Sequence, residues 1–129
     1  MSHFSLIKIK IKNPSVQLIK KAIEIIAKET NGEVVNSVRD YYGNTRSDII
    51  LGIKNSTFFR GIGVKVNEKG EVEIVGDFWN IPQSEVEKFK QLLVQNYTTL
   101  AIQQSLVQMG YQVQVQKVQD KVYVRGVSL

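Results

Sequence analysis

The stretch Leu6-Ile7-Lys8-Ile9-Lys10-Ile11-Lys12 leaves the chain little freedom. Its strict alternation has the period of a strand, so Ile7, Ile9 and Ile11 share one face while Lys8, Lys10 and Lys12 point from the other. Asn13-Pro14 then ends the strand and predicts a helix over 14–30, with Asn13 as its cap and Pro14 at the first helical position. Val16, Ile19, Ile23 and Ile26 recur at helical spacing, with Lys20, Lys21, Glu24 and Lys28 between them. Asn31-Gly32 supplies a left-handed stop.

From residue 33 to residue 77 the pattern changes to short extended runs broken by turn residues. It predicts strands over 33–38, 49–54, 59–67 and 71–77, with a loop at Tyr41-Tyr42-Gly43-Asn44-Thr45-Arg46. Glu68-Lys69-Gly70 is short and ends in glycine, as a tight hairpin does, and successive hairpins imply antiparallel pairing. A second helix is expected over 84–109. Ser84 and Glu87 stand at capping-box spacing, Val86, Phe89, Leu93, Tyr97, Leu100 and Ala101 form its apolar sector, and Gly110 ends it. Two closing strands, 111–118 and 121–127, follow, with Gln112, Gln114 and Gln116 alternating with Val113 and Val115. The order β-α-β-β-β-β-α-β-β suits a single α+β domain over 1–129, an antiparallel sheet with two helices packed on one face.

Composition narrows the chemistry. The absence of cysteine excludes disulfides, thiolate metal sites and cysteine nucleophiles, and one histidine excludes a multi-histidine metal site. No metal or cofactor is expected. No apolar run approaches the roughly 20 residues of a membrane span, and the alternating start is unlike a signal peptide. A soluble, cytoplasmic protein is expected. His3 has no orienting carboxylate or nucleophile nearby in sequence. Asp40, Asp48 and Asp77 fall at strand ends or turns, Glu85 and Glu87 suit a helix N-terminus, and Glu71 and Glu73 share a strand face with Lys65 opposite. No pair is placed for acid–base work by spacing. Gly61-Ile62-Gly63 begins like a dinucleotide fingerprint, but Val66 replaces the third glycine and no helix follows, so close backbone contacts explain these glycines better.

Two features remain. The formal charge is +5 from 17 basic and 12 acidic residues, and Lys8, Lys10 and Lys12 form a basic ladder that Arg39, Arg46, Arg60 and Arg125 could extend. With Tyr41, Tyr42, Tyr123 and Trp79 nearby, this suits single-stranded nucleic acid, although lysines also protect a sheet edge. The densest cluster is Val38-Arg39-Asp40-Tyr41-Tyr42-Gly43-Asn44-Thr45-Arg46. It offers planar donors and stacking faces to a carboxylate, a phosphate or a protein; structurally, Arg39 pairing with Asp40 or Asp48 and tyrosines covering the sheet edge would explain it as well.

This cluster, the opening Met1-Ser2-His3-Phe4-Ser5 with Ile7-Lys8 and Ile11-Lys12, Asp77-Phe78-Trp79, Val86-Glu87-Lys88-Phe89, Gln95-Asn96-Tyr97 and Gly110-Tyr111-Gln112-Val113 together resemble the hypothetical chloroplast reading frame 35 family. That family is a domain of unknown function found in plastids, cyanobacteria and other prokaryotes. The chain departs from its pattern at Asn96, where an arginine is expected, and Asp40 and Tyr42 occupy variable positions. The resemblance implies a compact cytosolic or stromal protein, often encoded near an AAA-type ATPase, and an accessory or adaptor role. It singles out His3, Arg39, Tyr41, Arg46, Asp77 and Trp79 as candidate site residues.

Three readings follow. The leading one is a small non-enzymatic binding or adaptor protein whose contact surface is the 39–46 loop and Trp79. The second is nucleic-acid binding across the basic sheet face. The third is an enzyme acting on a small anionic substrate, with Arg39 and Arg46 as clamps and His3 as base. The Gln-rich closing strands also offer an exposed edge, through which a homodimer would form by strand addition.

Overall fold

The computed structural model describes residues 3–119 and 121–128. Strand β1 (Ser5–Lys12) buries Ile9 and Ile11 and exposes Lys8, Lys10 and Lys12, as its alternation requires. Helix α1 (Val16–Glu29) starts later than Asn13-Pro14 predicts. Asn13 takes a left-handed φ of 49° and its N–H donates to the Gly70 carbonyl, so the chain is still turning there. Ser15 is the cap instead, its hydroxyl accepting from the Leu18 N–H. Asn31 provides the left-handed stop, at a φ of 52°.

The next segment holds six strands: β2 (Glu33–Val35), β3 (Val38–Arg39), β4 (Thr45–Arg46), β5 (Leu51–Lys54), β6 (Ile62–Val66) and β7 (Glu71–Gly76). The anticipated order counted four here. The run expected over 33–38 breaks in two, and the 41–46 loop closes a small ribbon in which Arg39 faces Thr45 and Val38 faces Arg46. The β6–β7 link behaves as read: Gly70 has a φ of +77°, and the Asn67 side chain accepts from the N–H groups of Lys69 and Glu71. The main sheet is antiparallel, in the order β1-β7-β6-β5-β2.

Helix α2 (Gln83–Gln108) begins at Pro82 with no side-chain cap, so the Ser84–Glu87 capping box does not form. Both helices lie on one face of the sheet. Ile19, Ile23 and Ile26 of α1 and Val86, Phe89 and Leu93 of α2 share one core with Ile53, Ile62, Val64, Val72 and Ile74. The opposite face is covered in part, over β5 and β6, by the segment 38–50. A Cβ on Gly63 would stand 3.0 Å from the Ile49 side chain and 3.3 Å from that of Val38, so the bare glycines are what let this segment lie flat.

The closing strands β8 (Tyr111–Val118) and β9 (Lys121–Ser128) do not join the main sheet, contrary to the single-sheet expectation. They form a separate hairpin on the second half of α2. Gly126 lies against Leu106, and Val122 and Val124 share a crevice with Val94, Thr98 and Ile102. The physical reason is α2 itself: after Leu93 no residue is fully buried. Although Tyr97 and Leu100 still pack toward the core and α1, Val94, Thr98, Ile102 and Leu106 are left for the hairpin to cover. No helix among the described residues is long and apolar enough to cross a membrane.

Candidate functional site

Asp77 follows the last residue of β7 and is 1% exposed. A buried carboxylate is costly unless its oxygens accept hydrogen bonds and a cation lies near. Both conditions hold. Oδ2 accepts from the Tyr41 N–H at 2.8 Å, Oδ1 accepts from the Trp79 N–H at 3.1 Å, and Arg60 Nε stands 3.9 Å from Oδ2. Arg60, 5% exposed, also donates through Nε to the Asp77 carbonyl and through Nη2 to the Trp79 carbonyl. Its guanidinium lies 4.4 Å from the centre of the Phe59 ring. The pair therefore ties three backbone segments together: the 40–44 turn, the start of β6 and the end of β7.

Asp40 locks the turn from the other side. Its Oδ1 accepts from the N–H groups of Tyr42 and Asn44, and Oδ2 accepts from the Asn44 side-chain amide. The Asn44 amide, followed by these backbone donors, holds the Asp40 carboxyl below its ordinary range, against the opposing effect of burial.

On this base stand three aromatic rings. Tyr41 meets Trp79 edge-on with centroids 5.2 Å apart, and meets Tyr42 in the same manner at 5.3 Å. They are 55%, 69% and 44% exposed for Tyr41, Tyr42 and Trp79. Large rings held open to solvent on a fixed backbone can insert into or stack against a partner while losing little conformational entropy. Asp77 is occupied in holding that backbone, both its oxygens being acceptors, which suits support better than proton transfer.

The other sequence candidates are placed elsewhere. Arg46 is bidentate to Asp48, Nε to Oδ1 at 3.0 Å and Nη2 to Oδ2 at 2.7 Å, and its guanidinium lies 5.8 Å from the Phe4 ring centre. Lys65 joins Asp48 at 3.1 Å. The Arg46 hydrogen bond first, and then Lys65, hold the Asp48 carboxyl far below the usual carboxylate range. Arg39 lies on the opposite face of the β3–β4 ribbon from Arg46, as neighbouring positions of adjacent register must. It lines a shallow crevice with Glu33, Lys54 and Arg60. His3 is exposed beside Phe4. The anion clamp of Arg39 and Arg46 with His3 as base is therefore not assembled.

Along the basic ladder all three lysines are exposed, and Lys8 lies 3.6 Å from Glu71. No group of three metal-ligating side chains occurs among the described residues.

The residues that sequence reasoning missed are Arg60, taken for an exposed member of the basic face, and Phe59 beneath its guanidinium. A signal was present. Arg60 is embedded in Phe58-Phe59-Arg60-Gly61-Ile62, and a charge inside an apolar run calls for a buried acid such as Asp77 at another strand end.

Against known proteins, residues 23–127 match the family model described as a protein of unknown function, DUF1257. None of the curated proteins and none of the solved structures matches the chain.

Proposed function

The chain belongs to the DUF1257 family of proteins of unknown function, and from its site we propose a small non-enzymatic binding protein that engages a protein partner through Tyr41, Tyr42 and Trp79. The observation that carries this reading is the set of three exposed rings, Tyr41 in edge contact with both Tyr42 and Trp79, fixed from below by Asp77, Arg60 and Asp40. Such a cluster has the character of an interface anchor, with the charged groups beneath it already hydrogen-bonded. Within this reading the chain is a hypothetical chloroplast reading frame 35 protein acting in the cytoplasm or stroma, and its partner is the AAA-type ATPase that the resemblance implies.

Trp79 is the chain's one tryptophan, so its emission reports on this surface directly. Titration with that purified ATPase is expected to shift Trp79 emission, and Tyr41→Ala should weaken binding by about thirtyfold, the size of an anchor residue's loss. Unchanged emission at saturating ATPase would overturn the assignment.

A second reading, single-stranded nucleic acid, rests on the same rings together with exposed Lys10 and Lys12. It has less support, because Lys8 and Lys65 are engaged with Glu71 and Asp48. Fluorescence anisotropy with labelled oligonucleotides separates the two. Micromolar binding that falls steeply with salt favours nucleic acid, and none at low salt removes it.

A further inference from the structure

Among the described residues, the strands of the β8–β9 hairpin pair only with one another, so each leaves an edge of eight residues unpaired. The main sheet guards its edges. β1 carries Lys8, Lys10 and Lys12, and β2 is only three residues long; lysines and shortness both deter strand addition. β8 has neither protection over most of its length. No charged residue occurs anywhere from Gln91 to Gln116, in a chain of net charge +5. Two copies of this molecule therefore meet least repulsion here.

β8 is also its own complement. Gln112-Val113-Gln114-Val115-Gln116 reads the same in both directions. Antiparallel pairing with a second β8, centred on Gln114, sets Gln112 opposite Gln116, Val113 opposite Val115 and Gln114 opposite Gln114. Every side chain meets its own kind on its own face, which is the requirement of a two-fold interface.

The valine face is the one turned toward α2. Val113 and Val115 are cross-strand partners of Gly126 and Val124, which lie against Leu106 and beside Ile102. That layer is unfinished, with Val115 47% and Ile102 43% exposed. A second β8 would bring its own Val113 against Val115 and continue the layer across the two-fold axis. It would also turn two two-stranded hairpins into one four-stranded sheet.

We propose that this protein forms a two-fold dimer by antiparallel pairing of β8 with β8, in register about Gln114. The interface is separate from the aromatic rings and stands or falls independently of them.

Sedimentation equilibrium over micromolar to high micromolar concentration tests it, using the full chain. The unaltered protein should reach the dimer mass. Gln112→Lys with Gln116→Lys puts lysine opposite lysine at two places and should weaken association by about tenfold or more. The intramolecular neighbours of these positions are Val127 and Tyr123, which are uncharged, and circular dichroism checks that the variant remains folded. Gln112→Glu with Gln116→Glu should weaken it equally. An equimolar mixture of the two variants should recover the dimer, since each lysine then faces a glutamate. A wild-type protein that stays monomeric throughout overturns the proposal and leaves the edge to a strand of some other protein. Lysine variants that dimerise undiminished, or a mixture that fails to recover, overturn it equally.

Discussion

At the scale of single residues, Asp77 and Trp79 lie two positions apart and have opposite duties. Asp77→Ala would leave the buried Arg60 guanidinium without its carboxylate and release the backbone of Tyr41 and Trp79 together. Stability should fall by about 3 kcal/mol, read as a lower urea midpoint. Trp79→Ala removes a ring that is half in solvent and should cost no more than about 1 kcal/mol in the same assay while abolishing partner binding. The sequence shows both residues at a strand end but not which is support and which is surface. That depends on Arg60, distant in sequence, and an arginine's burial follows from its partner more than from its own neighbours.

At the scale of elements, local chemistry was legible where one face decides the outcome and illegible where two signals compete. The alternation of β1 admits one orientation. Near α1, the local start signal of Asn13-Pro14 competes with a tertiary contact: Asn13 N–H is drawn to the Gly70 carbonyl, and Ser15 caps the helix instead. Ser15→Ala should cost about 1 kcal/mol, whereas Ser84→Ala, at a capping box that does not form, should change the denaturation midpoint by only a few tenths.

The β3–β4 ribbon carries two acids, Asp40 and Asp48, whose carboxyls are both held below the ordinary 3.8. The unfolded chain therefore takes up these protons before the folded one does. Their contribution is complete above the ordinary value and is lost as pH falls below about 4 toward the lowered values. Near-ultraviolet circular dichroism from Tyr41, Tyr42 and Trp79 should thus change during acidification before the far-ultraviolet signal of α1 does, and Asp48→Asn should flatten part of that dependence.

At the scale of the whole molecule, the two helices on one face of an antiparallel sheet were legible because each helix carries one apolar stripe and the hairpin-linked strands imply an antiparallel sheet with one face to bury. Two features were not. The cover on the second face depends on glycines whose meaning appears only when Ile49 and Val38 are seen above Gly63. The departure of β8 and β9 from the sheet depends on α2 being long enough, about 39 Å, to carry a second layer beyond the core. Stability should divide accordingly. Amides of β8 and β9 should exchange with solvent faster than those of β6 and β7, and a β8–β8 dimer would make that exchange slow as protein concentration rises.

The cover on the second face also fixes what the 40–44 turn is free to become. Its ends are pinned, at Val38, which is 2% exposed, and at Ile49 over Gly63. The turn is therefore less a loop hung from the sheet than the crown of a stopper whose stem is driven into the protein, and it cannot be lengthened just anywhere. Gly43, at a φ of +88°, has open space where a Cβ would lie, and its N–H donates to the Asp40 carbonyl. A residue inserted there should loosen the Asp40–Asn44 lock and lower the melting temperature modestly, while one residue added between Val38 and Asp40 should lift the stem and lower it sharply. Diversity in this protein's contacts has one place to enter, at the tip of the rings' own turn.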